Sequence, residues 1–187
     1  SPEHKLRVVA PDVGGGFGSK INVYNEDIVC SWASKKINRA IKWVAERSES
    51  FLTDIHGRDH VTHAELAVTN DGKFLGFKNE TIANLGAYAR VFGTVTPTYL
   101  FGPCATGVYE IPAAYSNVKA VFTNTAPVDA YRGAGRPEAT YTIERLVEKA
   151  SMELGIDKTE LRMKNFPTAF PFKQTLVHTV DSGDYVA

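Results

Sequence analysis

Two glycine-rich runs carry the residue types with which this chain could do chemistry. The first is Val13-Gly14-Gly15-Gly16-Phe17-Gly18-Ser19-Lys20, four glycines around one aromatic. Glycine has no Cβ, so such a run takes positive φ freely and lets its backbone approach a ligand closely. Its N–H groups can converge on an anion, above all where a helix begins just after. Three consecutive glycines exceed what a plain strand-to-helix turn requires, because each costs about 0.5–1 kcal/mol of backbone entropy. A ligand loop accounts for them better. Two common phosphate motifs do not fit. A dinucleotide fingerprint needs Gly-x-Gly-x-x-Gly, and position 19 is Ser; the Gly-Lys-Ser/Thr of a P-loop is missing at its spacing. The second run is Ala130-Tyr131-Arg132-Gly133-Ala134-Gly135-Arg136-Pro137-Glu138. It again leads from glycines into a helix start, where free N–H groups could meet an anion or an oxo group. Taken by itself, it reads equally well as an ordinary helix entry with surface arginines.

Other candidates are weaker. His56, His60 and His63, with Asp54 and Asp59 nearby, invite a metal reading. On a strand His60 and His63 point to opposite faces, and Gly57 argues against a helix that would align His56 with His60. A solvated strand entry is the better account. No Ser-His-Asp or Cys-His arrangement is evident, and Glu144, Glu148 and Lys149 fit a solvated helix face.

The elements that must position the two runs can be read from periodicity. Residues 6–11 read as a buried strand ended by Pro11 and leading into the first run. Residues 22–38 read as a helix with Ile28, Trp32 and Ala33 at helical spacing. A short strand is expected over 40–45 and a helical turn over 48–55, capped by Ser48. Residues 61–69 and 74–84 form a hairpin about Asn70-Asp71-Gly72-Lys73, whose Asp-Gly suits a type I′ turn. Residues 86–112, rich in Gly, Pro and aromatics without a clear period, read as a long ordered loop, usually a functional one. A strand follows at 117–123 and a loop at 126–135. The best helix is 136–154, with Pro137 in its first turn and Gly155 past its end. A last helix, 158–165, starts from an Asp157 cap. The expected class is α+β, with antiparallel hairpins and segregated helices.

Composition narrows the partners. The 187 residues carry 21 basic and 21 acidic side chains, so no basic excess exists to neutralise nucleic-acid phosphates. No apolar run is long enough to span a bilayer, and the N-terminus lacks an apolar signal core. Cys30 and Cys104 are the only cysteines, and a reducing cytoplasm is the simpler setting. Both ends are abrupt, so a fragment of a longer polypeptide is expected.

The two runs together, Val-Gly-Gly-Gly-Phe-Gly-Ser-Lys and Ala-Tyr-Arg-Gly-Ala-Gly-Arg-Pro-Glu, resemble the molybdenum hydroxylases: the xanthine dehydrogenase, aldehyde oxidase and carbon monoxide dehydrogenase large-subunit family. Agreement extends through Glu49-Ser50-Phe51-Leu52-Thr53-Asp54-Ile55-His56-Gly57-Arg58-Asp59, Asn84-Leu85-Gly86-Ala87-Tyr88, Tyr109-Glu110-Ile111-Pro112 and Asp181-Ser182-Gly183-Asp184-Tyr185. The bacterial carbon monoxide dehydrogenase-like branch is the most similar. The resemblance implies one piece, residues 1–187, of the molybdopterin-binding domain of a much longer subunit. It implies hydroxylation with oxygen from water, at a molybdenum held by the dithiolene of a pterin. That cofactor is expected in its cytosine dinucleotide form. Iron–sulfur and FAD groups are expected on partner subunits, beside the remainder of the large subunit.

By position, Gly16, Phe17 and Gly18 would lie against the oxo side of the cofactor, the backbone around Arg132 and Gly133 would approach it from another side, and Gly15 is a further expected cofactor contact. The departures concern the substrate. An acidic purine contact of xanthine dehydrogenases falls at Ile21, an arginine contact at Leu100 and a stacking phenylalanine at Ala134. Carbon monoxide oxidisers that use copper carry Ala-Tyr-Arg-Cys-Ser-Phe-Arg, and Gly133 stands in place of that cysteine. An apolar pocket for an aldehyde or N-heteroaromatic substrate is therefore expected. The family's glutamate base lies nearer the subunit's C-terminus and has no match here, so the isolated chain is expected to be inactive. The alternatives are a non-catalytic cofactor-binding or scaffold module of the same fold, and an unrelated phosphate-binding enzyme.

Overall fold

The fold is organised on a three-stranded sheet with one long helix laid across it. A computed structural model describes residues 2–185. The elements are α1 (Asn25–Ile37), α2 (Arg47–Thr53), β1 (His60–Val68), β2 (Phe74–Gly86), β3 (Ala113–Phe122), α3 (Arg136–Leu154), α4 (Lys158–Lys164), and the short pair β4 (Phe172–Lys173) and β5 (Thr179–Val180). The sheet order is β1-β2-β3, with β4 and β5 forming a separate ribbon.

β1 and β2 form the expected antiparallel hairpin, in register from His60 opposite Ala83 to Leu66 opposite Phe77. The turn differs from expectation. Only Gly72 takes positive φ (89°), and Gly72 N–H donates to Thr69 O at 2.8 Å, so this is not the two-residue type I′ form. Buried Asn165 fastens the turn from α4: its Oδ1 accepts from Phe74 N–H and its Nδ2 donates to Gly72 O, both at 2.8 Å. β3 starts at Ala113, earlier than the sequence suggested, and runs parallel to β2. A parallel neighbour needs a long crossover, and residues 87–112 supply it. That stretch is ordered, as expected: it holds a π turn at Thr96–Leu100, a 3₁₀ turn at Gly102–Cys104 and the buried Phe101, Ala105, Tyr109 and Ile111.

α3 has the predicted bounds. Ala139, Ile143 and Val147, spaced four apart, form its buried stripe. They meet Phe74, Phe77, Tyr109, Ile111 and Leu161 in one core. Gly155 ends the helix in the left-handed region (φ 66°), and Asp157 caps α4 by accepting from Thr159 and Glu160 N–H groups. Glu144 and Glu148 are not a merely solvated face. Both take hydrogen bonds from Arg162, at 2.7 and 2.8 Å, and Glu144 accepts from Tyr109 Oη at 2.6 Å, which ties α4 to the crossover.

The N-terminal third departs most from expectation. Residues 6–11 and 40–45 pair with no strand, and Val8 is 95% exposed rather than buried. α1 begins at Asn25, three residues late, where Asp27 accepts from Tyr24 N–H at 3.0 Å. α2 is preceded by Glu46 rather than capped by Ser48. Neither helix buries a residue.

Candidate functional site

The second glycine run is anchored where β2 ends. Gly86 (φ 72°) lets residues 126 and 127 press on the strand end, since a Cβ there would lie 2.2 Å from Ala126 O. Val128 N–H donates to Leu85 O at 3.1 Å, and His56 and the 127–129 segment exchange main-chain bonds of 2.9 and 2.8 Å. These bring Asp129 to a buried junction. Its Oδ1 accepts from Ala130 N–H (2.6 Å) and Phe92 N–H (3.1 Å), and its Oδ2 accepts from Asn22 Nδ2 at 3.1 Å. One carboxylate thus holds the crossover, the second run and the chain just beyond the first run. Asp129 escaped the sequence reading. Its signal was an acid set among apolar residues directly before the glycine run.

The two runs, far apart in sequence, touch. A Cβ on Gly18 (φ 104°) would lie 2.0 Å from Ala130 O, so only glycine permits the approach. Arg132 N–H donates to Phe17 O at 2.9 Å, and the Arg132 guanidinium lies 5.4 Å from the centre of the Phe17 ring. Phe17 remains half exposed. Gly14 has nothing within 4 Å on its open side, and Gly16 only Lys20 Cβ at 3.7 Å. Among the described residues, the N–H groups of Gly14, Gly15, Gly16, Phe17, Gly18 and Gly133 meet no acceptor. The junction therefore offers several unspent donors beside open space.

Arg58 packs on the second run. It donates to Arg132 O, sits 4.6 Å from the centre of the Tyr131 ring, and places Nε 3.8 Å from Glu138 Oε2. Four non-glycine residues take positive φ among those described: Phe17 (52°), Arg58 (61°), Ala134 (44°) and Asn38 (53°). Three of the four sit in this assembly, and the fourth ends α1. Backbone strain of this kind gathers at functional sites.

The positions expected to line a substrate pocket lie on three separate segments. Ile21, 48% exposed, donates its N–H to Gly18 O at 3.1 Å. Leu100 lies against the second run, because Gly135 (φ 89°) has no side chain to strike Thr96 O or the Leu100 carbonyl carbon. Ala134 adjoins that contact. The histidines fan apart. His56 is in the main-chain ladder, His63 is exposed beside Glu65, and His60 lies edge-on to Phe101 at 5.4 Å. Burial pushes the His60 imidazole below its ordinary pKa, against the pull of Glu138 and Asp59.

A hollow of about 960 Å³ between β1 and α3 is lined by Arg58, His60, Thr62, Glu138, Arg145 and Met152 rather than by the glycine runs. A second, of about 680 Å³, includes Ser19, His56, Arg58 and Tyr131 and adjoins the first run. Size alone is a poor guide here. The glycine junction is the place that combines strain, close backbone approach and free donors. Its chemistry is that of holding: N–H groups and arginines for an oxo- or phosphate-bearing group. Among the described residues no cluster of three His, Cys, Asp or Glu side chains could ligate a metal, and no helix is long and apolar enough to cross a membrane.

Known proteins share this fold. Residues 1–166 match the molybdopterin cofactor-binding domain. The carbon monoxide dehydrogenase large chain of Hydrogenophaga pseudoflava is 43% identical over 98% of this chain and 23% of its own length. Subunit gamma of the 6-hydroxypseudooxynicotine dehydrogenase complex of Paenarthrobacter nicotinovorans is 38% identical over 99% of this chain and 24% of its own. The crystal structure of quinoline 2-oxidoreductase from Pseudomonas putida 86 superposes with a TM-score of 0.91 at 34% identity, over 98% of this chain and 24% of that one. The chain spans about a quarter of the length of these relatives. With that match across residues 1–166 and that identity along nearly its whole length, the chain belongs to the molybdopterin cofactor-binding domain family of the xanthine dehydrogenase and carbon monoxide dehydrogenase type.

Proposed function

We propose that the two glycine runs form one wall of the molybdopterin site of a molybdenum-dependent hydroxylase, of which this chain is one segment of the large subunit. The observation that carries the reading is the Gly18–Ala130 junction, beside which Gly14 and Gly16 leave open space and unspent N–H donors. The donor set suits the group. A metal that arrives already held by its pterin needs hydrogen bonds and shape from the protein, not side-chain ligands. Gly15, Gly16, Phe17, Gly18, Arg132 and Gly133 are the residues proposed to contact it.

When bound, the cofactor supplies the redox centre at which oxygen derived from water is transferred to a carbon of the substrate. This chain's residues bind and orient. Their N–H groups favour oxo and phosphate oxygens, in a fixed geometry that needs no reorganisation during reaction. Ile21, Leu100 and Ala134 are proposed to face the substrate, and none of them carries a polar handle for a purine. With Gly133 in place of a copper-binding cysteine, an aldehyde or an N-heteroaromatic ring is the proposed substrate. The names of quinoline 2-oxidoreductase and of nicotine 6-hydroxylase among the relatives support the second. The glutamate base is proposed to come from another part of the subunit, so the isolated chain turns nothing over. The cytosine dinucleotide form of the cofactor, iron–sulfur and flavin partner subunits and a cytoplasmic location complete the proposal. Relatives named as a large chain and as a complex subunit support the partners, and free Cys30 and Cys104 suit a reducing compartment.

Metal and pterin analysis of the intact parent subunit tests the reading. Molybdenum and pterin in equal amounts, with CMP released on acid hydrolysis, is the expected result. A well-folded parent that contains neither overturns it and favours a scaffold role.

A further inference from the structure

Resting on the cofactor reading above, we propose that Arg58 is a positioning residue: it fixes the Arg132–Gly133 peptide so that the Gly133 N–H is presented to the cofactor, and through Arg132 it sets the Gly18 N–H as well. In a trans peptide the C=O and the next N–H point in opposite directions. Arg132 O accepts from Arg58 Nη2, so the Gly133 N–H of that same peptide points away from Arg58. Arg132 N–H in turn donates to Phe17 O at 2.9 Å, so the Gly18 N–H points away from Arg132. Neither Gly133 nor Gly18 N–H has an acceptor among the described residues. One guanidinium thus orients one donor on each glycine run.

The rest of Arg58's surroundings hold it to this task. Its Nε is 3.8 Å from Glu138 Oε2, a carboxylate whose side chain is only 10% exposed, and its plane lies 4.6 Å from the Tyr131 ring centre. Its own φ of 61° is a conformation that a non-glycine residue keeps only when its surroundings over-determine it. Gly57, just before it, leaves room for Tyr131, since a Cβ there would lie 2.4 Å from Tyr131 Cβ. A planar fork can serve a carbonyl, a carboxylate and an aromatic face together. A lysine ammonium is a point charge and cannot serve all three.

The test uses the intact parent complex, with two readouts: the rate of cofactor release on dialysis and the Mo(V) electron paramagnetic resonance spectrum. Arg58→Met is expected to speed release about tenfold, the equivalent of one lost hydrogen bond to a charged group, with a shifted spectrum. Arg58→Lys is expected to fall between wild type and Arg58→Met in both readouts. A wild-type release rate and spectrum in Arg58→Met overturn the proposal. If Arg58→Met does not accumulate as a folded complex, Arg58→Lys decides: an unchanged rate and spectrum overturn the proposal, and a shift in both supports it. A wild-type parent without pterin overturns the cofactor reading instead, and so separates the two failures.

Discussion

Residues 2–55 and residues 56–185 are built by different rules. The later region has a core: Phe74, Phe77, Tyr109, Ile143, Val147 and Leu161 are all within 3% of full burial. In the earlier region Asn22 is the only buried residue, and Val8, Ile28, Trp32 and Phe51 are all at least 60% exposed. Yet the earlier region contributes one of the two glycine runs. It is joined to the other by specific polar and backbone contacts rather than by a hydrophobic face: Arg132 N–H to Phe17 O, Asn22 to Asp129, and the Gly18–Ala130 approach. Burial supplies the stability of a region, whereas these few contacts supply its placement. The candidate site straddles the boundary, with one glycine run on the region that has a core and the other strapped to it.

The sharpest way to test that division is to remove core volume. Ile143→Ala, at a site 1% exposed, is expected to cost about 2–5 kcal/mol of the chain's stability in urea unfolding. Asp129→Ala attacks the strap. It strands the N–H groups of buried Ala130 and half-buried Phe92 and frees Asn22, at up to about 1–3 kcal/mol per stranded group. Limited proteolysis should then cleave within residues 2–55 faster, with the 56–185 region still protected; equal protection of both regions would break the contrast.

A smaller effect is expected from pH. His60 is held below its ordinary pKa of 6.5 by burial. The unfolded chain therefore takes up the proton first as pH falls. Stability from this group is full above 6.5 and declines below it. His60→Phe, beside the Phe101 ring, should flatten the decline between neutral pH and about pH 5; an unchanged slope would show that His60 is not its source. Least of all, Trp32→Ala should change this chain's stability by no more than about 0.5 kcal/mol, since Trp32 is 60% exposed. A cost rivalling Ile143→Ala would mean that the N-terminal region has a core of its own.

The same division explains what the sequence made legible. α3 could be read to its bounds because Pro137, the Ala139–Ile143–Val147 stripe and Gly155 all signal one helix whose face is buried within this chain. The β1–β2 hairpin was legible from Asp71-Gly72 and alternation, although only Gly72 takes positive φ. Residues 6–11 and 40–45 misled because their apolar side chains suggest burial, while here they pair with no strand and stay exposed. The parallel pairing of β3 was hidden because nothing local in Ala113–Phe122 states which strand it will meet. For the site, the glycines at 14–18 and 133–135 were visible as types. Their convergence was suggested only by the family resemblance. Asp129 and Arg58, which fasten the runs, stayed hidden because single charged residues look alike until their partners are known.

The central claim is that the two glycine runs are one cradle, closed at Gly18. The most direct measurement is the pterin content of the intact parent carrying Gly18→Ala, read beside its thermal unfolding. A Cβ at this position would strike Ala130 O at 2.0 Å in a backbone conformation that alanine resists. The expected result is a parent that unfolds near the wild-type temperature, because Gly18 lies outside the 56–185 core, but that has lost most of its pterin. Wild-type pterin content in Gly18→Ala would contradict the claim.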